Sequence, residues 1–157
     1  MSDSRPDPAS RPTAARRASS GPTIGRAVAF GLGAAVLGAM LWWLTGGLFA
    51  LGGGLIVVGL ALGWLVGTGV AWGAWGERAH GPDRRLRVLA IVLGLGAWLL
   101  GAFLVYVFEL AFLPGSHLPL LLKMVNEPFF DFTIQLFMPF GPFELAAIMI
   151  FAWRAAR

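Results

Sequence analysis

Beyond an N-terminal stretch with no hydrophobic periodicity, the chain consists of long apolar runs separated by short polar breaks. Four runs predict helices: about Ala27 to Leu44, about Leu48 to Trp75, about Leu86 to Leu113 and about Phe132 to Trp153. A bilayer core of about 30 Å needs about 20 helical residues. Each run is near or above that length, and the longer ones can tilt. The pattern predicts an all-α fold, a four-helix transmembrane bundle.

The breaks differ in strength. Thr45-Gly46-Gly47 is the only interruption between the first two runs, so those helices are expected to form a tight antiparallel hairpin. Gly76 to Arg85 is a polar loop with glycine and proline breakers. Pro114 to Asp131 is longer. Within it, Leu120 to Glu127 sets Leu121, Leu122 and Val125 on one side and Lys123, Asn126 and Glu127 on the other. That suits a short helix lying in the membrane interface and ended by Pro128.

Residues 1–25 are rich in Ser, Pro, Ala and Arg and read as a disordered cytoplasmic tail. They do not have the form of a cleaved signal peptide, so the first helix is expected to remain uncleaved. Orientation follows from arginine. The tail carries Arg5, Arg11, Arg16, Arg17 and Arg26, the second-to-third loop region Arg78, Arg84, Arg85 and Arg87, and the C-terminal end Arg154 and Arg157. In a four-span arrangement these eleven of twelve basic residues share one face, and only Lys123 falls on the other. Short loops so biased mark the cytoplasmic side, with both termini there. Trp42, Trp43 and Tyr106 are expected at the outer interface, and Trp72, Trp75 and Trp153 at the inner one. Trp64 and Trp98 fall mid-membrane.

Composition agrees with this setting. Hydrophobic residues make up 57% and charged residues 13% of the chain, against about 25% charged in soluble proteins. The 22 glycines would weaken soluble helices, whereas membrane helices use them for close packing. With no cysteine, disulfides, thiolate metal sites and a Cys nucleophile are excluded. The net charge of +4 is accounted for by arginines beside apolar spans, which leaves no case for nucleic acid.

Small residues recur at four-residue spacing. Gly59, Gly63 and Gly67 form a glycine-zipper stripe, with similar rows at Gly31, Ala35 and Ala39 and at Ala90, Gly94, Ala97 and Gly101. Such faces let helix backbones approach closely. The plain reading is helix packing within one chain; the sharper one is a homo-oligomer or a docking face for another membrane protein.

Two carboxylates invite attention. Glu109 lies about 33 Å along a helix from Arg87 and is expected at the outer interface, solvated or paired with Lys123. Glu144 lies about 15 Å into the membrane from Arg154, near the midplane. Just before it, Met138-Pro139-Phe140-Gly141-Pro142-Phe143 interrupts the helix, because proline removes N–H donors and glycine weakens the ladder. An intramembrane acid at a helix break resembles ion or proton sites in transporters. It also suits a kinked helix whose Glu144 bonds to Thr68 or to a backbone carbonyl.

Nothing else signals chemistry. Ser116-His117 has no third orienting group, His80 alone makes no metal site, and no nucleotide fingerprint falls outside the apolar runs. No catalytic residue, metal or cofactor is expected.

Gly63-Trp64-Leu65-Val66-Gly67 and Arg85-Leu86-Arg87-Val88-Leu89-Ala90-Ile91-Val92 resemble segments of uncharacterised small bacterial four-helix membrane proteins. The resemblance covers the middle third of the chain. It implies four helices in a bacterial inner membrane and brings no activity or site residues. The expected role is an accessory, scaffold or assembly subunit, not an enzyme. The alternative is a proton- or ion-coupled transporter or channel subunit using Glu144.

Overall fold

The computed structural model describes residues 22–48, 55–76, 83–112, 119–137 and 141–156. Most of the tail, His80, Ser116 and His117 lie outside them. The described residues contain helices and no strand: α1 (Ile24–Trp43), α2 (Leu55–Trp75), α3 (Arg84–Phe112), α4 (Leu120–Asn126), α5 (Phe129–Phe137) and α6 (Gly141–Ala155).

Among the described residues, three stretches are long and apolar enough to cross a membrane: Ile24–Gly46, Ile56–Trp75 and Arg84–Phe112. Their length and composition are those of the helices of a multi-pass membrane protein. The fourth apolar run, expected to be interrupted at 138–143, comprises two helices, α5 of 9 residues and α6 of 15, and neither alone covers a core of about 30 Å. Gly141 and Pro142, in the first turn of α6, disfavour a helix running on from α5, and Pro139 lies outside the described residues.

The first break differs from expectation. Thr45-Gly46-Gly47 does not end the first helix, which continues as a wider π turn over Leu44–Leu48. The Thr45 hydroxyl donates to the carbonyls of Leu41 at 2.6 Å and Trp42 at 3.2 Å. It thereby satisfies acceptors in the turn where the regular ladder changes. Residues 49–54 lie outside the described residues.

Helix ends at the other pole are well formed. Gly76 closes α2 with φ +61°, a left-handed backbone that glycine adopts without strain, and its N–H donates to the Trp72 carbonyl at 2.8 Å. Asp83 opens α3 by accepting the Arg85 N–H at 2.8 Å on its carboxylate. The Thr23 N–H donates to the Ala74 carbonyl at 3.1 Å, tying the start of α1 to the end of α2. These two helices are therefore antiparallel.

α1, α2, α3 and α6 form a four-helix bundle. Its core at this pole joins Ala27, Val70, Ala74, Leu86, Ala90, Ala152 and Ala156. A second cluster joins Trp42, Leu62, Val66, Trp98, Ala102, Val105 and Ile148. The faces turned away from both clusters carry Leu37, Val57, Trp64, Val92 and Ile150, all exposed. In water such a surface would be costly, whereas lipid is its natural solvent.

Candidate functional site

The small-residue stripe of α2 meets α6 directly. A Cβ added at Gly59 would lie 2.9 Å from the Glu144 Cγ, and one at Gly63 would lie 2.5 Å from the Ile148 carbonyl oxygen. At Gly67 the neighbours are the Ala152 carbonyl and the Ala155 Cβ, both 2.7 Å away. Each four-residue step on α2 matches a step of about four on α6, so the two helices run parallel with backbones in contact. Gly59, Gly63 and Gly67 are occupied within the chain. On α3, Gly94 faces the Ile148 side chain, whose Cγ2 would lie 3.0 Å from an added Cβ, and Gly101 receives the Trp42 ring. In α1, Gly31, Ala35 and Ala39 are all buried.

This close approach is what buries Glu144. Its residue lies in the first turn of α6 and is 4% exposed. The Trp42 indole N–H donates to its carboxyl Oε1, and the Trp98 indole N–H interacts with the same carboxyl. The two indoles meet edge to face at 6.4 Å. Four helices thus converge on one carboxyl: α1 through Trp42, α2 through Gly59, α3 through Trp98 and α6 through Glu144 itself.

Two expectations about this region are corrected. Trp42, for its part, is fully buried, and its donor-only N–H finds its acceptor in Glu144. Thr68 is not the partner of Glu144. Its hydroxyl donates back to Trp64 at 2.8 Å and Leu65 at 3.0 Å on its own helix. Nor does Lys123 sit on the solvent side of α4. Its ammonium is buried and donates to the Leu110 carbonyl at 2.9 Å, satisfying one of the acceptors left open at the end of α3. Glu109 is exposed.

Tyr106 is likewise buried; its hydroxyl donates to the Glu127 carbonyl at 2.5 Å. Its ring packs against Phe129 at 5.4 Å and Phe132 at 5.3 Å. α3 therefore meets α6 at Gly94, α5 at Tyr106 and α4 at Leu110, in that order along its length. At the other pole, Arg87 lies over the Trp153 ring at 5.1 Å. Trp64 is exposed.

A polar cavity of about 320 Å³ opens at the α4–α5 junction among Glu127, Asp131 and Gln135. Two apolar grooves, of about 720 and about 480 Å³, lie on the outside of α1. Glu144 lines none of the three. Among the described residues no group of three His, Cys, Asp or Glu side chains comes together.

The residues that complete the Glu144 site, Trp42 and Trp98, were placed by sequence reasoning at an interface and mid-membrane, and neither was paired with Glu144. The available signal was pairing: two donor-only indoles within apolar runs and one acid without a cation at its depth. No protein-family model matches the chain, and comparison with curated proteins and with solved structures finds no match.

Proposed function

We propose that this chain spans the bilayer four times with both termini in the cytoplasm of a bacterial cell. In this reading α5 and α6 together make the fourth crossing. They follow one another along α3, and their 9 and 15 residues amount to about 36 Å of helix. The parallel course of α6 and α2 supports the same return to the arginine-rich face.

We further propose an accessory, scaffold or assembly role, with Glu144 serving as a structural pin. The observation that carries this is the Trp42 N–H on the Glu144 carboxyl inside a backbone-close helix contact. An acid held by indole donors from two other helices locks the bundle. A proton or cation carrier needs that carboxyl to exchange its partner during function.

The test is purification in mild detergent with quantitative analysis of what accompanies the chain. A stoichiometric membrane-protein partner retained by both wild type and Glu144→Gln supports the role. Pure chain that moves protons in vesicles, and stops doing so in Glu144→Gln, contradicts it.

A further inference from the structure

The larger groove on α1 has a shape, a length and one charge that together specify an occupant. Its volume is about 720 Å³, and its walls are Phe30, Gly33 and Leu37 of α1 against Leu65, Gly69 and Trp72 of α2. Gly33 leaves the floor open: a Cβ added there meets nothing within 4 Å. Phe30 and Trp72 close one end edge to face, with centroids 5.1 Å apart. Beyond them stands Arg26, exposed, its guanidinium 6.0 Å from the Phe30 centroid.

On α1 the lining runs from Ala29 to Leu37, about 12 Å, and Arg26 lies about 4 Å beyond it, so lining and cation together match the roughly 15 Å of one leaflet in a core of about 30 Å. The groove is apolar but for Thr68, and the cation stands where a headgroup would lie. A partner helix would need neither the cation nor a one-leaflet length. From this geometry we infer that the groove is a binding site for one anionic phospholipid, an acyl chain lying over Gly33 and the phosphate on Arg26. The inference rests on the membrane-spanning character of α1 and α2. It does not depend on which face is cytoplasmic, nor on the role of Glu144.

Native mass spectrometry of the full chain in detergent, titrated with phosphatidylglycerol or phosphatidylcholine, tests it. Wild type retains one phosphatidylglycerol in preference to phosphatidylcholine by about fivefold, the effect of one arginine near a headgroup of net negative charge, which the choline cation of phosphatidylcholine cancels. Arg26→Gln removes the preference, whereas Arg85→Gln, another exposed arginine, keeps it. Gly33→Leu fills the groove and loses both lipids. Gly96→Leu, the same change at an equally open glycine on α3, binds like wild type. Equal retention of the two lipids by wild type overturns the inference. So does an unchanged preference in Arg26→Gln, undiminished binding by Gly33→Leu, or a dimer that Gly33→Leu dissociates. The last result would assign the groove to a second copy of the chain. The first and second of these do not bear on the accessory role, which is read from co-purification.

Discussion

Substitution at Gly63 probes the contact on which the bundle depends. A Cβ there would sit 2.5 Å from the Ile148 oxygen, 3.0 Å from its Cα and 3.1 Å from its carbonyl carbon. All three atoms are backbone, so no side chain can rotate away and α6 itself must withdraw. A gap of about 0.5–1 Å forfeits a quarter to a half of the dispersion energy along the contact. Overpacking of this kind costs about 1–3 kcal/mol. Alanine gains back about 1 kcal/mol of helix propensity, so its net cost is about 0–2 kcal/mol. Isoleucine gains less and places further atoms against α6, so Gly63→Ile is expected at the upper end or beyond. Gly96 is the matched control, since an added Cβ there meets nothing within 4 Å. Thermal unfolding in detergent, followed by circular dichroism, should place Gly63→Ile well below wild type and Gly63→Ala between them. Gly96→Ile should unfold with wild type. Equal midpoints for Gly63→Ile and wild type would refute the backbone-close contact between α2 and α6.

Two further outcomes follow from the buried polar groups. Glu144→Gln keeps an acceptor for the Trp42 N–H and should be near neutral in stability, while Glu144→Leu leaves that donor unsatisfied at a cost of about 1–3 kcal/mol. In a double-mutant cycle with Trp42→Phe the two losses should be less than additive, and strict additivity would mean the pair does not interact. Lys123→Met removes the donor to the Leu110 carbonyl and should cost about 1 kcal/mol. Hydrogen exchange should then rise at the end of α3 and not at Gly94; uniform exchange through α3 would contradict the local role of Lys123.

The three long helices were legible because nothing in their apolar runs competes with helix: no proline, and glycines that membrane packing tolerates. The interruption before Glu144 was legible too, from Pro139, Gly141 and Pro142. What the pattern concealed was the third dimension. Trp42 ends an apolar run, where tryptophan ordinarily marks an interface, and only the approach of α6 turns it inward. Lys123 sits on the polar side of a short amphipathic segment, yet the open carbonyls at the end of α3 draw it in. Thr45-Gly46-Gly47 looked like a break because glycine favours one, and the Thr45 hydroxyl supplied the acceptor satisfaction that let the helix widen and continue. In each case a local preference was overridden by a hydrogen-bonding need, either at a helix end or within the ladder. Which helix faces Gly59, Gly63 and Gly67 could not be read from spacing, since any small-residue stripe fits any neighbour of suitable shape.

The four-span orientation is tested most directly by counting sides. Three long helices alone would leave the two ends of the chain on opposite faces; a fourth crossing through α5 and α6 returns them to the same face. The chain has no cysteine, so single cysteines can be placed without background and labelled in intact cells with a membrane-impermeant maleimide. Asn126→Cys, exposed on α4, should label from outside, while Ser4→Cys and Arg157→Cys should label only after the membrane is permeabilised. Labelling of Arg157→Cys in intact cells, with Ser4→Cys still protected, would show that α5 and α6 do not cross and would contradict the four-span account.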